Sequence, residues 1–352
     1  MKNLLWALPL IFFFACDGSK EEMLPGATGI SGDVYLIMDS TQYKGPLGTL
    51  VDSIFRSEYL VINRPEPLFK MHWVDPRKLN YTLKLRRNLI YALTLDQSGA
   101  GANRVERMLT AESINKIKTD TSFFFKAVTN QFAKGQQTFF LVGAREELLM
   151  KKIRKNAARL VATLNKSEQE RLTQQLFKAG SLKGLSENLK KKWGVDFQIP
   201  FGYQIVMNND EFVWVRQFNK KDDRDIFVYR KPYKDQKQFD RDSLIALRNT
   251  ICRKYLFGDP DKPNSFLVTE TGIPSKRVRV STSPLNGNYA AQMIGLWKTN
   301  NLSMGGPFMS YTVADAKQTN LYYVEAFLYA PSREQRETMR ELETILNTFK
   351  AN

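Results

Sequence analysis

The spacing of apolar runs changes at Gly194, and that change constrains the fold more than any other feature of the chain. Before it, short β-rich runs alternate with helical stretches. Gly32–Asp39 (GDVYLIMD) has a buried-strand pattern, and Gly45-Pro46 opens a helix with Leu47, Leu50, Val51 and Ile54 on one face. Leu68–Val74, Arg87–Leu95, Ser122–Val128 and Thr138–Gly143 read as further strands. After Gly194, strands follow one another through turn chemistry such as Asn208-Asn209-Asp210. Gln204–Met207, Phe212–Gln217 and Ile226–Arg230 form an antiparallel meander, followed by a helix over Asp242–Phe257. Five more strands lead to a closing helix over Gln335–Phe349. The pattern predicts an α/β (α+β) chain: two α/β sandwich-like domains with antiparallel-rich sheets, residues 32–193 and 194–352.

A basic helical segment joins the two domains and is counted with the first. Arg145–Leu164 is predicted as one amphipathic helix, with Ser167 capping the next and Gly194 ending a third over Ser186–Trp193. Residues 145–193 carry 13 Lys or Arg against 5 Asp or Glu, half of the net charge of +16. Such a stretch is either the solvated face of its helices or a surface for an anionic partner. On the second reading Lys151, Lys152 and Lys155 are the candidates.

The start of the chain bears on location. Leu4–Phe14 is an apolar run after Lys2, too short to span a bilayer, which takes about 20 residues. It ends at Ala15-Cys16 and turns at once polar, which looks like a bacterial lipobox. On that reading residues 1–15 are a lipoprotein signal peptide, and Cys16 carries a diacylglyceryl group and an acylated amine. Several acyl chains on one residue give stable anchoring. Residues 16–31 form a tether, in which Lys20, Glu21 and Glu22 are a candidate surface-export signal or a plain charged linker. The expected location is the outer membrane, facing the periplasm or the cell surface.

Several runs together carry a family resemblance. Tyr43-Lys44-Gly45-Pro46-Leu47-Gly48, Ile199-Pro200-Phe201-Gly202-Tyr203 and Gly295-Leu296-Trp297 are three of them; Met304-Gly305-Gly306-Pro307-Phe308 and Glu325-Ala326-Phe327-Leu328-Tyr329-Ala330-Pro331 are two more. In this order the chain resembles an uncharacterised family of Bacteroidetes lipoproteins, domain-of-unknown-function family 4837, with Ala326 where that family usually has Gly. The resemblance implies no catalytic residues. Residues 194–349 are also loosely similar to the PsbP-like α/β/α sandwich, whose members are mostly binding and assembly factors.

Little in the sequence points to chemistry. His72 is the one histidine, and Cys252 has no partner cysteine once Cys16 is lipidated. No metal or cofactor motif is present, and nucleic acid is not an expected partner. The expected role is a non-enzymatic binding or assembly accessory whose partner is an envelope protein or an anionic surface. The alternative is a glycan-binding or carboxylate-based glycan-hydrolysing protein, since acids can converge from distant strands. Met304 and Phe308 are either core residues of a tight strand connection or anchors presented to a partner.

Overall fold

The computed structural model describes residues 23–59, 62, 64–219, 222–256, 262 and 264–352. Cys16, Lys20, Glu21 and Glu22 lie outside these residues. The chain divides into two compact units, the segment up to Thr49 with His72–Lys155, and Leu50–Met71 with Asn156–Asn352.

The first unit is built on five strands: β1 Asp33–Ile37, β2 Lys70–Val74, β3 Asn88–Thr94, β4 Phe125–Thr129 and β5 Gln137–Gly143. Their order is β2-β1-β3-β5-β4, with β1–β3 and β3–β5 parallel and β4–β5 antiparallel. The sheet is therefore mixed with a parallel centre, not antiparallel-rich. Every residue of β3 and β5 is buried, as central parallel strands covered on both faces require. Its core gathers Ile37, Leu89, Tyr91, Leu93, Ile117 and Val142.

Arg145–Leu164 is not one helix. Helix α1, Glu146–Lys155, stops at Asn156, and α2 runs over Ala157–Leu176. Ser167 is an interior residue of α2 rather than a cap. The reason is the buried stripe Leu160, Leu164, Glu168 and Leu172, which continues through the predicted break at helical spacing. Glu168 tolerates burial because Arg171 Nη2 lies 2.8 Å from its Oε1. Helix α3, Lys183–Trp193, ends at Gly194 in the left-handed conformation (φ +69°), as the glycine predicts.

The second unit holds an eight-stranded sheet, antiparallel in every pairing. After the short β6 (Val195–Asp196) come β7 Gln204–Asn208, β8 Phe212–Phe218 and β9 Asp223–Pro232. Helix α4, Arg241–Tyr255, leads to β10 Leu267–Thr269, β11 Arg279–Thr282, β12 Ala290–Thr299, β13 Gly305–Ala314 and β14 Asn320–Tyr329. Helix α5, Arg336–Leu346, and β15, Lys350–Ala351, close the chain. The order is β10-β12-β13-β14-β9-β8-β7, with β11 also on β12.

Strand β14 shows how this sheet is sandwiched. Tyr322, Val324, Ala326 and Leu328 enter one core with Met339, Leu342 and Ile345 of α5. Leu321, Tyr323 and Phe327 enter another with Leu244, Ile251 and Cys252 of α4. The period-two alternation thus feeds two buried faces, each roofed by a helix.

One β14 residue on the α4 face is charged. Glu325 and Arg248 are both fully buried, and the Arg248 Nε donates to both carboxylate oxygens at 2.9 and 3.1 Å. Nη2 adds a 2.8 Å bond to Oε1, Nη1 donates to Thr269 Oγ1 at 3.2 Å, and the Tyr323 hydroxyl donates to Oε2 at 2.5 Å. The guanidinium also sits 4.0 Å over the Phe308 ring. Removing one member of a buried pair strands the other, at about 3–5 kcal/mol. Arg248→Met should therefore cost about that much in a urea denaturation series. A loss under about 1 kcal/mol would mean that the pair carries no such weight.

Candidate functional site

The lysines singled out on the first unit lie on one side of α1 but differ in exposure. Lys151 and Lys155 are exposed on α1, one turn apart, whereas Lys152 is half-buried. Further along the basic stretch, charge is already spent internally. Arg171 pairs with Glu168, Lys190 with Asp196 at 2.9 Å and Lys192 with Asp210 at 3.6 Å. Lys190 also holds Asp196 below the usual carboxylate range, second to the Asn352 hydrogen bond.

Phe308 is fully buried in the α4-side core and offers nothing to a partner. Met304 is half-buried against the same core. Gly305 and Gly306 are residues of β13, not a loop. A Cβ on Gly306 would meet the Leu328 carbonyl oxygen at 2.0 Å, so close strand packing explains that glycine. The turn lies just upstream, where Thr299 Oγ1 accepts from the backbone N–H of Ser303 and Met304 at 2.9 and 3.1 Å.

Beside that turn is an open hollow. Three of the runs that carry the family resemblance meet there, supplying Trp297, Met304 and Tyr329 among others. Two residues at its wall, Leu302 (φ +62°) and Ser332 (φ +63°), hold left-handed backbone without being glycine. Gln335 is 3% exposed; its Nε2 donates to the Ala330 carbonyl at 3.2 Å, but its Oε1 is buried with no hydrogen-bond partner. The carboxylate of the hollow, Glu270, is committed. It lies 2.9 Å from Lys298 Nζ, which holds its pKa below the usual range. Trp297 is buried, with its Nε1 donating to the Leu328 carbonyl at 3.2 Å.

The remaining chemically distinctive residues are also engaged. His72 Nε2 is 3.3 Å from Asp33 Oδ2, and its ring stacks on Tyr35. Cys252 is buried, and desolvation pushes its thiol up to about 12, away from the reactive thiolate. Among the described residues no group of three or more His, Cys, Asp or Glu is placed to hold a metal ion.

One surface went unnoticed in the sequence. Strand β7 ends the eight-stranded sheet and pairs only with β8 among the described residues. Ile205 (51% exposed) and Val206 (46%) are both open to solvent, because a bulge between Ile205 and Met207 breaks the alternation. Phe201 and Phe218 add exposed rings at the same end. Three successive apolar residues in an otherwise alternating meander were the available signal.

Next to it lies a buried acid. Asp225 Oδ1 accepts from Trp214 Nε1 at 2.8 Å and lies 3.1 Å from Arg216 Nε, while Oδ2 is buried without a partner. Burial raises its pKa to about 7 against the pull of Arg216. An acid raised in the folded state binds its proton more tightly there than in the unfolded chain, whose value is about 3.9. Its stabilising contribution is full below about pH 4 and is lost as pH rises through about 7. Asp225→Asn should flatten that decline in urea unfolding measured across this window. An unchanged pH profile would show the carboxylate to be ionised throughout.

Comparison with known proteins matches two stretches of the chain to families without an assigned role. Residues 183–348 match the model of a domain of unknown function, DUF4837, and residues 27–177 match a second, DUF8532. None of the curated proteins matches the chain. Among solved structures, LpqN of Mycobacterium tuberculosis, described as involved in cell envelope biogenesis, is similar at 15% identity. The match covers 44% of this chain and 82% of LpqN, with a TM-score of 0.27. The Ran-binding protein Mog1p of Saccharomyces cerevisiae is similar at 7% identity over 49% of this chain and 93% of its own, with a TM-score of 0.29. Likeness at these scores says nothing of function.

Proposed function

With residues 183–348 matching the model of DUF4837 and residues 27–177 that of DUF8532, we propose that this chain is a lipid-anchored protein of the cell envelope that acts by binding rather than by catalysis. Its place would be the outer membrane, as an accessory to an envelope assembly. The anchoring half of the reading rests on the apolar run that ends at Ala15-Cys16. On that reading the anchor is the acyl chains carried by Cys16; no helix among the described residues is long and apolar enough to cross a membrane.

The binding half rests on one observation, the open edge of β7. Unpaired backbone groups flanked by exposed Ile205 and Val206 suit the addition of a partner strand, where main-chain hydrogen bonds give affinity and the side chains give specificity. Glu270, paired with Lys298, is a poor start for a two-carboxylate hydrolase in the hollow beside Trp297.

Two experiments test the two halves separately. Cys16→Ser should abolish incorporation of labelled fatty acid; persistence of the label on the variant would end the anchoring reading. Ile205→Lys with Val206→Lys should reduce capture of envelope proteins after cross-linking on intact cells at least tenfold, with the melting temperature nearly unchanged. Capture equal to that of the wild type would remove β7 as the binding edge.

A further inference from the structure

We propose that a second hollow in the C-terminal unit, between the end of β9 and helix α4, binds a phosphate-bearing anion. This inference stands on the local geometry and does not depend on the anchoring reading. The hollow is open to solvent. Lys231 comes from β9, and Lys234, Lys237 and Gln238 come from the turn and short 3-10 helix that follow. The facing side of α4 presents the small residues Ser243 and Ala246, which leave the space open.

Charge is the first argument. Among the described residues, no ion pair ties Lys231, Lys234 or Lys237 to a carboxylate. This contrasts with Lys190 and Lys192 of the basic helices, which are paired. The acid at the mouth is Asp235, whose Oδ1 accepts the Lys237 backbone N–H at 2.9 Å. Three ammonium groups and one carboxylate leave a local charge near that which neutralises a phosphate monoester, about −2 at pH 7.

The second argument is an unused donor. Gln238 Oε1 accepts the backbone N–H of Lys234 at 2.6 Å and of Asp235 at 3.2 Å, which fixes the amide orientation. Its Nε2 is then a donor, and it is buried with no partner. A buried donor without an acceptor is unfavourable, and an anion seated deep enough in the hollow to reach it would supply the acceptor. Lysines act as rotatable point charges toward phosphate, and its oxygens can serve several of them together with an amide, where a carboxylate offers only two. Leu247, partly buried beside Ala246, gives the organic part of an ester an apolar shelf.

The test compares two double variants of equal charge change in the full chain. Lys234→Gln with Lys237→Gln alters the hollow; Lys44→Gln with Lys118→Gln alters exposed lysines of the first unit. Probes are inorganic phosphate, read by calorimetry, and phosphatidylcholine vesicles with and without one fifth phosphatidic acid, read by co-sedimentation. The expected result is that at least one phosphate-bearing probe binds, at least tenfold weaker in the Lys234/Lys237 variant and within twofold of wild type in the other. Binding of free phosphate points to a soluble ester, and a response only to phosphatidic acid points to a lipid headgroup. The proposal is overturned if neither probe binds, or if both variants weaken binding equally, since that would reflect net charge alone.

Discussion

A guanidinium and a carboxylate, both out of reach of water, organise the C-terminal unit. Glu325 stands in the middle of β14, the strand between β13 and β9, and Arg248 stands in the middle of α4. Burying either alone would be prohibitive, so the helix can dock only where the fork meets the carboxylate. That contact sets the height and rotation of α4 over the sheet. The position of Phe308 under the guanidinium, and of Thr269 beside it, follows from the same geometry. A purely apolar face would tolerate several helix placements; a bidentate pair tolerates one.

The fold was legible in the sequence wherever a pattern had a single physical reading. Period-two alternation marked the strands of the second unit, and Gly194 marked the end of α3 because few other residues accept its positive φ. The parallel centre of the first sheet was not legible. Short apolar runs such as those of β3 and β5 announce burial but not pairing direction, which the crossovers decide. The break at Asn156 and the continuity past Ser167 were missed for a related reason. Glu168 reads as polar, yet paired with Arg171 it occupies a core position, so the apolar stripe looked shorter than the helix is.

Site residues were legible to a smaller degree, because exposure depends on neighbours that sequence does not name. Phe308 and Met304 lie in adjacent apolar surroundings, yet only Met304 reaches solvent. Lys151 and Lys155 are exposed, as an amphipathic helix implies, while Lys152 turns partly inward. The lysines around α4 drew no attention, although residues 230–237 carry four Lys or Arg against one Asp, because they fall on a strand end and a turn rather than along one helix. Their convergence is a property of the fold alone.

The bulge in β7 has a consequence for how crowded copies of this chain behave. An edge strand that is flat and regular can template the next molecule, and the next, into a growing fibre. Here the shift between Ile205 and Met207 interrupts the ladder with β8 after Gln204–Arg216 and Ile205–Val215, and a bulge of this kind adds local twist. The edge therefore has room for a short visiting segment but not for endless stacking, and its greasy surface can stay exposed without making the protein a seed for polymerisation.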